Sequence, residues 1–131
     1  MNSSSKNNKN SITVVAVEPS KIPYIKTIDN TLESLQQELG GFIQAIYPFD
    51  DPVAIIANDE AKLIGMPLNR ALRDDTGNVY DIIAGNFLVV GLGADNFASL
   101  SDELAEKYMA HFRSPEKYVS VDGVIMVIPM A

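Results

Sequence analysis

Ile12-Thr13-Val14-Val15-Ala16-Val17 is β-branched and apolar on both of the faces that a strand presents. Side chains stiff at χ1 favour the pleated conformation, and an unbroken apolar run predicts a central strand with no solvent face. Glu18-Pro19-Ser20 ends it, and Tyr24-Ile25-Lys26-Thr27-Ile28 follows with the period-two alternation of a hairpin edge. Phe42 to Tyr47 and Val53 to Ala57 read as two more strands flanking a turn at Pro48 to Pro52. Asn58 to Lys62 is a tight polar turn. Val79 to Val90 reads as the longest strand, central in the sheet, with Gly85 marking a bulge or close backbone approach. From Tyr118 to Ile128 the pattern is a hairpin around Asp122-Gly123 or a final edge strand, which must be covered, join the sheet, or meet a second subunit.

Two segments switch to a helical period. Asn30 as N-cap with Glu33 three residues later makes a capping box, Leu32, Leu35 and Leu39 share one face, and Gly40-Gly41 stops the helix. Ser101 caps a second helix through about Phe112, with Asp102 and Glu103 in its first turn, Leu104, Tyr108 and Phe112 at i+4 spacing, and Pro115 beyond its end. The expected fold is α+β: a mixed, mostly antiparallel sheet of five or six strands with two helices packed on it. Residues 1–11 read as a disordered polar leader, 12–113 as a single α+β domain, and 114–131 as a C-terminal extension with an apolar strand.

The 131 residues are enough for one core. Every apolar run is interrupted well short of a membrane span and the start of the chain is polar, so a cytoplasmic protein without membrane contact is expected. Cysteine is absent, which excludes disulfides, thiolate metal sites and thiol nucleophiles. With His111 as the one histidine, a multi-imidazole zinc site is excluded as well. From Ser11 onward 8 basic residues face 17 acidic ones, a net charge of −9, which repels a phosphate backbone and disfavours direct nucleic-acid binding.

Pro67-Leu68-Asn69-Arg70-Ala71-Leu72-Arg73-Asp74-Asp75 places two of the three arginines, beside an asparagine, on what reads as a solvent-open connector of no more than a helical turn. A guanidinium is a fixed fork of donors for phosphate or carboxylate, so Asn69, Arg70 and Arg73 are the ligand-binding candidates; the competing role is local, with Arg70 pairing Asp74, Asp75 or Asp81 and Asn69 capping a turn. Gly91-Leu92-Gly93 lacks the third glycine and the prompt helix of a dinucleotide loop and reads as a glycine-dependent turn. Asp74 to Asn78 alternates oxygen ligands but has no downstream glutamate, and no metal or cofactor is expected. His111 reads as a surface residue at a helix C-terminus, and no residue is assigned a catalytic role.

Residues 12–113 resemble a family of small uncharacterised domains of phages, plasmids and conjugative elements in Gram-positive and gut bacteria. The resemblance is carried by Val17-Glu18-Pro19, Thr31 to Gln36, Gly40 to Ala45, Pro67 to Asp74 and Tyr80 to Gly85. It implies an accessory protein of a mobile element acting inside a bacterial cell.

Three roles are open at this level: a non-catalytic accessory domain binding a small anionic, phosphate-bearing ligand; an acidic interaction module or DNA mimic that inhibits a host enzyme or defence system; and an enzyme of unrecognised type. Expected partners are a host protein or the small anion, with a homodimer through the C-terminal strand open to the chain.

Overall fold

The computed structural model describes residues 10–130. Of the leader expected over 1–11, all but Asn10 and Ser11 lies outside the described residues, and Ser11 already opens the first strand.

The principal sheet is antiparallel throughout. Its order is β2 (Tyr24–Asp29), β1 (Ser11–Val17), β7 (Phe87–Leu92), β4 (Val53–Asn58) and β3 (Ile43–Ile46), with the two-residue β8 (Phe97–Ala98) paired to the end of β7. The chain is of the α+β class. β4 is buried at all six positions and β7 at five of six, as continuous apolar runs demand of strands covered on both faces.

Side-chain alternation divides the core in two. Val15, Val17, Val53, Ile55, Phe87 and Val89 point to one face, where they meet Leu72 and Ile83 and the Ala105, Tyr108 and Phe112 side of α2 (Asp102–His111). Val14, Ala16, Ala54, Ile56, Leu88 and Val90 point to the other, under Leu35 and Leu39 of α1 (Leu32–Leu39). Each fully buried aliphatic or phenyl side chain contributes about 1.5–3 kcal/mol, so both layers stabilise the sheet between them.

Both expected helices form, α2 at its expected N-cap and α1 one residue later than expected. Ser101 accepts from the Leu104 amide, and Gly40 closes α1 in the left-handed region, its N–H donating to the Gln36 carbonyl. The N-cap of α1 is Thr31, whose hydroxyl accepts from Ser34 N, and not Asn30. Asn30 is engaged elsewhere, its amide donating to the Phe97 carbonyl at 2.9 Å and tying the end of β2 to β8. Leu32 consequently stands in the first turn at 62% exposure, off the buried face.

Two expectations are corrected. The run from Val79 to Val90 is not one strand: Gly85, at φ +76°, turns the chain between β6 (Val79–Ala84) and β7, which lie in different sheets. A left-handed glycine redirects the backbone where a bulge would only have kinked it. The segment before it is not a connector either, because Leu68–Arg73 is strand β5, paired antiparallel with β6 in a hairpin against the α2 face. The register slips between Leu68 and Arg70, so Asn69 is the extra residue of a bulge.

The C-terminal segment forms its own two-stranded sheet, β9 (Glu116–Val121) and β10 (Val124–Pro129). Asp122 and Gly123 have φ values of 51° and 80°, the left-handed pair of a type I′ turn. Among the described residues no helix is long and apolar enough to cross a membrane.

Candidate functional site

Asn69 and Arg70 are buried, at 0% and 2% exposure. A bulged strand lets consecutive residues turn inward, and here both turned residues are polar, so each needs partners for every donor. Asn69 Nδ2 donates to the carbonyls of Val17 (3.0 Å) and Gly85 (2.8 Å), and its Oδ1 accepts from Arg70 Nη1 (2.8 Å). Arg70 spreads its fork over three more carbonyls: Nε to Phe112 (3.0 Å), Nη1 to Asn69 (3.1 Å) and Nη2 to Lys21 (2.7 Å). The Phe112 carbonyl belongs to the C-terminal cap of α2, an orphan acceptor at the negative end of a helix dipole. Burial pulls the guanidinium below its usual pKa while Glu116 opposes the shift, and the group stays charged. Arg70 thus pins β5, α2 and the loop after β1 together.

Arg73, at the outer end of β5, is the guanidinium of the trio that solvent reaches. Its side chain is 39% exposed, and Nη2 stands 3.1 Å from Glu116 Oε2. Glu116, the first residue of β9, is buried; its other oxygen accepts from Ala71 N (2.7 Å) and from the Tyr118 hydroxyl (2.9 Å). Burial, and then this bond, raise the Tyr118 pKa. One carboxylate therefore caps an open strand edge, fastens the C-terminal hairpin and holds Arg73. Nothing in its local pattern marked it beyond being the lone acid of its strand, just after Pro115.

Beside these groups opens a cavity of about 760 Å³. Arg70 to Asp75 of the β5 end and Tyr80 of β6 form one wall, Ala110 to Phe112 of α2 a second, Pro48-Phe49-Asp50 a third, and Glu116 and Pro129 the rim under the hairpin. Phe49 is set edge-on to His111 (5.2 Å between ring centroids) and to Phe112 (6.1 Å), and His111 meets Phe112 at 4.6 Å. These tilted contacts fix the aromatic wall. His111 is exposed at the C-terminal turn of α2, as expected, and it also lines the cavity; partial burial, followed by Lys107 and Arg73, lowers its pKa.

The lining carries both signs of charge. Of its acids, Asp74 is spent on its own turn, accepting from Thr76 N, Thr76 Oγ1 and Asn78 N, which lowers its pKa, and Glu116 is held as described. Asp50 and Asp75 are exposed, where water and salt screen them. Among the described residues no group of three or more histidines and carboxylates is placed to hold a metal ion.

Residues 12–113 match the family described as a domain of unknown function, DUF3846. The chain belongs to that family. No curated protein and no solved structure matches it. In this DUF3846 chain the matched stretch contains Asn69, Arg70, Arg73 and His111, whereas Glu116 and the hairpin it anchors follow the stretch.

Proposed function

We propose that the chain is a small, non-catalytic accessory domain that holds a phosphate-bearing or otherwise anionic small molecule in the cavity between β5, α2 and the Phe49 loop. The observation that carries this reading is the exposed Arg73 guanidinium on the wall of a 760 Å³ hollow, beside a second guanidinium already locked in place. That volume lies within the usual range of ligand pockets, and an aromatic wall next to a few convergent polar groups is their usual chemistry. When Arg73 turns to a ligand oxygen, Glu116 Oε1 keeps the Ala71 amide and the Tyr118 hydroxyl, and Oε2 is the atom that gives up its partner. Asn69 and Arg70 serve the site as its frame. The resemblance seen in the sequence supports a setting inside a bacterial cell, on a phage, plasmid or other mobile element.

Thermal denaturation with inorganic pyrophosphate and with adenosine monophosphate tests this. A ligand a hundredfold above its Kd adds about 2.7 kcal/mol, a rise in Tm of about 10 °C for a domain of this size. Arg73→Ala is expected to lose the rise while keeping its own Tm within a few degrees. No rise with either probe, or a rise that survives Arg73→Ala, would remove the reading.

A further inference from the structure

The C-terminal hairpin wears its apolar side outward. Directly paired residues of an antiparallel ladder share a face, so the register Val124 with Val121, Met126 with Val119 and Ile128 with Lys117 puts five apolar side chains on one surface. Val119, Val121, Val124, Met126 and Ile128 are each between 38% and 60% exposed. The opposite face rests on the protein at its base, where Glu116 is buried against β5 and Tyr118 and Val127 are half-buried, and runs out to exposed Ser120 and Ile125 near the tip. A sheet with one face on its protein ordinarily shows polar residues to water, and over the seated base of this hairpin Val119, Met126 and Ile128 reverse the pattern.

We propose that this face is a homodimer interface, in which the hairpins of two copies stack face to face about a two-fold axis. Three observations single out a second copy. First, the chain carries a net charge of −7, and apart from Lys117 the outward face has no ionisable group; it is where an equally acidic partner can approach without bringing carboxylates together. Second, a two-fold axis lying in the interface plane and perpendicular to the strands lays the base of one hairpin over the tip of the other, which sets Lys117 at the base against Asp122 of the second copy at the turn, twice. Third, the stripe exposes roughly 400 Å² of apolar surface per copy, in the range of functional patches, and with its flanks a symmetric contact reaches about 1,000 Å² in total, the lower bound for a specific interface. The dimer is therefore concentration-dependent, dissociating in the micromolar range.

Sedimentation equilibrium of the full chain from about 1 to 300 µM brackets that range. The expected mass moves from the 14.3 kDa of one chain toward twice that value. Met126→Asp, a charge in the middle of the stripe at an exposed position, is expected to weaken association at least ~100-fold with an unchanged far-UV circular dichroism spectrum. Leu63→Asp, at an 85% exposed leucine elsewhere, is expected to leave it unchanged. Lys117→Glu should weaken association several-fold, and adding Asp122→Asn, which suits the left-handed turn, should restore part of the loss. A single-chain mass at every concentration, which would give the face to a foreign partner, overturns the proposal. So does a dimer that survives Met126→Asp, and an unchanged constant in Lys117→Glu overturns the base-over-tip arrangement.

Discussion

Arg70 keeps a positive charge where solvent hardly reaches because three backbone carbonyls from three separate segments receive it. Arg70→Met is expected to cost about 3 kcal/mol or more, since the methionine fills the space but leaves the Phe112 and Lys21 carbonyls short of their donor, and Asn69→Ala about 2 kcal/mol. Urea denaturation midpoints with unchanged m-values check both. The sequence singled out Asn69 and Arg70 as ligand groups, and the structure spends both on backbone carbonyls. Their partners Val17, Phe112 and Lys21 lie 42 to 52 positions away, and no local pattern carries such distances. His111 gives a pH signature. Its pKa is lowered in the fold from the ordinary 6.5, so the unfolded chain binds its proton more readily; the stability it contributes is whole above about pH 6.5 and is lost as pH falls through the lowered value. Tm measured from pH 7.5 to 5 should therefore fall less steeply in His111→Gln than in the parent. The lowered carboxylates, Glu18, Asp51 and Asp74, act in the same direction but only nearer their own, more acidic range.

Elements were legible where their signals were local. The two helices, the strands β1 to β4 and the Asp-Gly hairpin at the end follow from caps, periodicity and turn chemistry, with the cap of α1 misplaced by one residue because Asn30 is drawn to Phe97 by a contact 67 positions away. β5 was missed because its buried positions hold Asn69 and Arg70, which defeat an apolar alternation. The break at Gly85 was missed because the residues on both sides are strand-like and the glycine alone turns the chain. Gly85→Ala forces a side chain into the left-handed region with its Cβ 2.8 Å from the Met66 sulfur. It is expected to cost about 2 kcal/mol, and the same urea titration reads it.

At the scale of the molecule, composition and pattern sufficed for the α+β class and two helices, but not for the strand order, which rests on β7 entering between β1 and β4 after the β5–β6 excursion. That excursion makes the cavity: it lifts Arg73 off the principal sheet and sets it opposite the end of α2, while the C-terminal hairpin, seated through Glu116, closes the rim. The account turns on Arg73 serving a ligand while Arg70 serves the fold. An amide ¹H–¹⁵N titration with pyrophosphate tests that division most directly. Saturable shifts clustered at Phe49, Arg73, Tyr80 and His111, absent in a folded Arg73→Ala protein, are the predicted result; no saturable shift at those amides, or the same shifts in Arg73→Ala, would contradict it.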